Sequence, residues 1–190
     1  MRILTVTDSK PSPRLAAACI ASILLVFGLL SGPGRVDAQS STIRCSLTEN
    51  GGPARGSFSV ERAGKTVASG SCGTELSVPP GRYKVTATLD GVLDTPSRSV
   101  DVQAIAGKST PVALDFETGV LEVRIESKEA RGTGLVTVNR GSKRIGTLGA
   151  GVAARLSAGD YEVVVRLGGV ERRYAVELRA GQRRLVRAQF

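Results

Sequence analysis

The chain is 190 residues long, with 26 Lys and Arg against 17 Asp and Glu, a formal net charge of +9 and no histidine. The commonest general base and the commonest metal ligand are therefore both missing. With only three cysteines besides, ordinary zinc, haem and Cys/His chemistry is excluded, and no cofactor is expected.

Residues 1–38 read as a signal peptide carried on a signal helix. Basic Arg2, Lys10 and Arg14 precede an apolar run from Leu15 to Leu30, and a polar stretch follows. Val36 and Ala38 stand at the small-residue positions a signal peptidase reads, which puts cleavage before Gln39. As a helix the apolar run spans about 24 Å against a hydrocarbon core of about 30 Å, so no stable membrane span is expected in the mature form. An uncleaved anchor is the alternative, because the amino-terminal region is long for a signal peptide. Cys19 lies near the start of the apolar run, whereas a lipidated cysteine follows such a run. The expected destination is periplasmic, cell-surface or secreted.

From Gln39 to Glu117 the pattern is that of short strands. Period-two runs occur at 42–48, 57–62, 65–69, 74–78, 83–89, 97–103 and 109–116, each bounded by Gly, Pro, Asn or Asp. In YKVTATL, Tyr83, Val85, Ala87 and Leu89 share one face, the mark of a half-buried strand. Cys45 and Cys72 are the only cysteines after the cleavage site. Their even number in an exported chain predicts a disulfide, with buried free thiols as the alternative.

Residues 118–190 then repeat what came before. Laid over one another at a shift of 78, the copies share Val60/Val138, Arg62/Arg140, Lys65/Lys143, Gly81/Gly159, Tyr83/Tyr161, Val85/Val163, Leu89/Leu167 and Gly91/Gly169. Beyond that the shift is 74, pairing Val102/Val176, Gly107/Gly181, Val112/Val186 and Phe116/Phe190. One four-residue insertion near Leu93 to Ser99 of the first copy accounts for the change. Such duplication means one small unit used twice. About seven short strands per copy predict an all-β chain of two tandem antiparallel seven-stranded sandwiches, 39–117 and 118–190. The cysteines are matched by Val123 and Ala150, so both positions read as core sites. The connection through Glu117, Thr118 and Gly119 is short, which limits flexibility.

A turn, a glycine and a tyrosine recur in both copies: Leu76, Gly81, Tyr83 and Val85 in the first, and Leu156, Gly159, Tyr161 and Val163 in the second. This pattern resembles the carboxypeptidase-regulatory-like and PEGA-like group of bacterial β-sandwich modules. The resemblance implies a transthyretin-like or immunoglobulin-like sandwich, used as a tandem surface or periplasmic domain without enzymatic activity. The chain lacks a Pro-Glu-Gly-Ala tetrad, and the shared motif is structural, so no functional residue carries over. Tyr83 and Tyr161 read as core packers with a hydroxyl hydrogen bond, or else as stacking residues for a ligand.

Charge is divided unevenly: residues 43–116 hold eight basic and seven acidic side chains, residues 117–190 fourteen and eight. Strand alternation and a hairpin at Ala180-Gly181-Gln182 would gather Arg173, Arg179, Arg183 and Arg187 on one outer sheet face, with Arg172 and Arg184 on the inward phase near strand ends. That face is a candidate site for an anionic envelope polymer or lipid headgroup, or a solvated surface that discourages edge pairing. Nucleic acid is disfavoured, because Tyr174 is the one aromatic between Arg172 and Arg187 and single-strand binders need exposed stacking platforms. The pairs Glu126/Glu129 and Asp90/Asp94 read as solvated loop carboxylates rather than as an acid/base pair or a calcium site. The expectation is thus a non-enzymatic interaction or structural protein of the bacterial cell envelope, with a protein or an anionic polymer as partner. A basic-face binder is the alternative, and a small carboxylate-dependent hydrolase is the remote one.

Overall fold

The structure, a computed structural model, describes residues 39–127 and 134–190. The targeting segment 1–38 with Cys19, and the carboxylate Glu129, lie outside the described residues. Those from the first copy form eight strands: β1 (Ser41–Glu49), β2 (Gly52–Ala54), β3 (Gly56–Arg62), β4 (Lys65–Ser71), β5 (Glu75–Val78), β6 (Gly81–Leu89), β7 (Ser97–Ala104) and β8 (Ser109–Phe116). The second copy supplies β9 (Thr118–Glu126), β10 (Leu135–Arg140), β11 (Lys143–Gly149), β12 (Ala153–Ser157), β13 (Gly159–Leu167), β14 (Val170–Leu178) and β15 (Arg183–Gln189). The positions matching β2 fall in the undescribed stretch. Among the described residues there is no helix long and apolar enough to cross a membrane.

Two sheets enclose each core. In the first copy β1 lies between antiparallel β5 and β2 on one side and parallel β8 on the other, and the facing sheet runs β4-β3-β6-β7. The second copy reproduces this, with β12-β9-β15 facing β11-β10-β13-β14 and β15 again parallel to its first strand. Even the bulges coincide, at Val60/Glu61 and Val138/Asn139. The described residues are all-β and of the sandwich class.

Alternation decides what is buried. Ile43, Cys45 and Leu47 of β1 meet Phe58 and Val60 of β3 and Tyr83, Val85, Ala87 and Leu89 of β6 in one core. Leu121 and Val123 meet Val136, Val138, Tyr161, Val163 and Val165 in the other. Val164 breaks the alternation, since it belongs to the outer phase of β13 yet is 6% exposed. It stands opposite Arg173, whose guanidinium reaches Glu162 and Glu171.

The hairpin expected at Ala180-Gly181-Gln182 does not form. β14 pairs with β13 alone, whereas β15 joins the opposite sheet beside β9. The turn itself is tied across, since the Gly181 N–H donates to the Thr118 carbonyl at 2.7 Å and the Val120 N–H to the Gln182 carbonyl at 2.7 Å. Crossing between sheets lets Val176 and Leu178 of one strand and Val186 and Ala188 of the other face a single core.

Candidate functional site

Cys45 and Cys72 are joined by a disulfide whose Cα atoms are 4.7 Å apart. Cys45 is fully buried, and Cys72 lies just past β4 and packs against the same core. Beside the bridge the Gly73 N–H donates to the Cys45 carbonyl at 2.7 Å, and the Gly151 N–H makes the same bond to Val123, also at 2.7 Å. The second copy thus has this backbone geometry without sulfur. Val123 is buried but Ala150 is exposed, so only the first of the two cysteine positions is a core site in both copies.

The shared turn places an arginine, a glycine and a tyrosine together twice. The Tyr83 hydroxyl donates to the Pro79 carbonyl at 2.6 Å, and that of Tyr161 to the Ser157 carbonyl at 2.7 Å. The guanidinium carbons of Arg62 and Arg140 lie 5.8 and 4.7 Å from the respective ring centres, within cation–π range. Gly159 has φ +145, and a Cβ there would sit 2.7 Å from Arg140 Nη2. Both tyrosine side chains are buried.

Burial first, and then the nearby charge of Asp94, push the Tyr161 phenol up from 10.0 to about 12. A raised phenol favours the folded state while it is protonated. Its contribution is complete below the ordinary value of about 10 and disappears as the pH climbs through the folded one. An ultraviolet titration of tyrosinate is accordingly expected to show a tyrosine ionising at about 12, and the step should be missing in Tyr161→Phe.

The richest polar constellation lies where the copies meet. The Asp94 carboxylate, with a side chain only 6% exposed, accepts the Ser157 N–H at 3.0 Å and lies 3.4 Å from the Tyr161 hydroxyl and 3.6 Å from Arg140 Nη1. From the other side, Arg155 meets Glu49 at 2.6 Å and donates to the carbonyls of Asp90 at 2.9 Å and Gly91 at 3.4 Å. The Asn50 side chain bonds both the N–H and the carbonyl of Thr118 at 3.0 Å, and the Thr118 hydroxyl donates to Glu49. Asp94 is therefore not the solvated loop carboxylate expected, although Asp90 is exposed. The signal that pointed here was the four-residue insertion itself.

Arg173, Arg179, Arg183 and Arg187 do not share one sheet: the first belongs to β14, the second follows it, and the last two lie on β15 in the facing sheet. Each is close to a carboxylate. Arg173 meets Glu171 at 2.8 Å and Glu162 at 3.4 Å, Arg179 meets Glu177 at 3.0 Å, Arg183 meets Glu122 at 2.6 Å and Arg187 lies 3.9 Å from Glu126. Glu122 is 5% exposed, and hydrogen bonds from Arg183 first and Arg124 second hold its carboxyl below the usual range. Strand alternation alone could not reveal this partnership, because the parallel β9–β15 pairing creates it. Arg172 and Arg184, on the inward phase, are both exposed.

Open grooves mark the surface of the described residues, and two of them carry charged side chains. One, of about 660 Å³, lies beside the Ala63-Gly64 turn and is lined by Glu61, Arg82, Lys84, Asp101 and Gln103. The other, of about 360 Å³, runs between the copies past Glu49, Arg55, Asp90 and Arg155. Its carboxylates are Glu49, already paired with Arg155, and exposed Asp90. Among the described residues no group of three His, Cys, Asp or Glu is placed to hold a metal ion.

No protein-family model matches the chain, and no curated protein matches it. Among solved structures, a Bacteroides ovatus protein described as an adhesin is similar at a TM-score of 0.40 and 10% identity, covering 86% of this chain and 98% of that one. The Bacillus anthracis TIE protein gives a TM-score of 0.35 and 14% identity over 80% of this chain, which spans 33% of its length. The major pilin T-13 of Streptococcus pyogenes gives 0.25 and 11%, covering 80% of this chain and 97% of the pilin.

Proposed function

We propose that the chain is an exported, non-enzymatic protein of two tandem β-sandwich modules, 39–117 and 118–190, that serves as an interaction or structural element of the bacterial cell envelope. The observation that carries the reading is a disulfide in the first of two duplicated cores. Persistent structural disulfides belong to oxidising compartments, and the amino-terminal pattern of Arg2 to Ala38 supplies the route there. The polar side chains best placed for chemistry are committed to structure: Glu49 to Arg155, Asp94 to the Ser157 N–H, and Glu122 to Arg124 and Arg183. The turn-Gly-x-Tyr resemblance to carboxypeptidase-regulatory-like and PEGA-like modules agrees with this, and the partner is a protein or an envelope polymer. Binding an anionic polymer through Arg173, Arg179, Arg183 and Arg187 gains no support from their geometry, since acidic neighbours offset their charge and two sheets divide them.

Fractionation of the cells that make the chain tests the reading. The expected result is an envelope-associated protein starting at Gln39 whose two cysteines react with an alkylating reagent only after reduction. Recovery from the cytoplasm with both thiols free would overturn it.

A further inference from the structure

We infer that Leu93–Pro96, the insertion by which the first copy departs from the second, is a docking loop that couples the two sandwiches into a single rigid body. The inference rests on the two-module reading and goes beyond it by assigning the coupling to one segment.

Four observations meet at this loop. Leu93 leaves its own core and packs against the second one, where its Cδ1 comes within 2.9 Å of a Cβ built on Gly146. The Leu93 N–H donates to the Arg155 carbonyl at 2.9 Å. The adjacent Asp94 places its carboxylate on the Ser157 N–H, beside the Tyr161 hydroxyl and Arg140. Finally Thr95, a β-branched residue, is held at φ +43, a conformation that persists where surrounding contacts over-determine the backbone.

Neither end of the duplicated fold repeats the arrangement. In the second copy the matching connection is Gly168-Gly169, with no leucine or aspartate to extend. In the first copy the positions matching Arg155 and Ser157 are Ser77 and Pro79, and proline has no N–H to offer a carboxylate. Donor and acceptor therefore occur once each, on the two sides of this junction. A solvated insertion would place its aspartate in water, whereas Asp94 is nearly covered by the other copy. The connector cooperates, because a Cβ on Gly119 would lie 2.6 Å from Leu178 Cγ and 2.8 Å from the Arg179 carbonyl, so the joint is packed rather than loose.

Nitrogen-15 relaxation on the chain from Gln39 onward tests this, the described residues of both copies lying in one compact unit. Amides of both copies are expected to report one common rotational diffusion tensor. Deleting Leu93–Pro96 gives the first copy the spacing the second already tolerates at Gly168-Gly169, and should yield two different tensors with the amide dispersion of each copy retained. Leu93→Ala/Asp94→Ala should do the same if the deletion disturbs folding, and Asp90→Ala, exposed on the same connection, should leave the single tensor in place. Two independent tensors in the parent chain, or one unchanged tensor in a folded deletion or double variant, would overturn the inference. Cellular location does not enter, so the envelope reading can fail separately.

Discussion

Replacing Cys45 by Val and Cys72 by Ala, the residues the second copy carries at the same positions, is expected to destabilise the first sandwich by about 3 to 4 kcal/mol. The bridge closes a sequence separation of 27 residues, and in the chain-entropy model the loss comes from freeing the unfolded chain. Choosing the second copy's residues keeps the packing term small: Val123 is fully buried at the equivalent site and its carbonyl accepts the same 2.7 Å bond from the N–H of Gly151. Amide hydrogen exchange resolves the copies separately, and protection in the first is expected to fall by about a few hundred-fold. The converse substitution follows from the same geometry. Val123→Cys with Ala150→Cys should form a bridge and raise the second copy's stability by a similar amount. Unchanged first-copy protection after loss of the bridge would show that the denatured chain is already restrained there by other means.

The cores were legible because alternation at period two reports directly which side chains face inward. Tyr83, Val85, Ala87 and Leu89, with their counterparts Tyr161, Val163, Val165 and Leu167, occupy the buried face that the pattern implies. Alternation says which face a residue takes but not which strand lies beside it. Hence alternation alone puts Arg183 and Arg187 in a hairpin with β14, while the chain crosses to β9 and brings Arg183 to Glu122. Val164 shows the same limit, since it is buried on the outer phase of β13. The seam between copies was visible only as a change of shift from 78 to 74 in the alignment of the chain with itself. Insertions are usually solvated, and the burial of Asp94 depends on Ser157, Tyr161 and Arg140, all more than forty residues away.

Gly56→Ala is expected to be among the most disruptive single-methyl additions in the chain. A Cβ at Gly56 would stand 2.2 Å from the Thr88 carbonyl oxygen and 2.5 Å from Leu47 Cδ1. Thr88 lies on β6, paired with β3, and Leu47 on β1 in the facing sheet, so the new methyl is caught where the two layers close. The Gly56 carbonyl also accepts the Cys72 N–H at 2.8 Å, which ties any displacement of β3 to the disulfide. Overpacking of this kind costs about 1 to 3 kcal/mol, and the upper end applies because a backbone carbonyl must move. The duplicated glycine provides the control: a Cβ on Gly134 would meet Ile125 Cδ1 at 2.0 Å, whereas the carbonyl of Arg166 is 3.5 Å away. The end of an isoleucine can change rotamer where a paired strand cannot shift alone. Denaturant unfolding of Gly56→Ala and Gly134→Ala should therefore rank the first as the more damaging, and the reverse order would mean that the isoleucine pocket, not the sheet backbone, is the less yielding of the two.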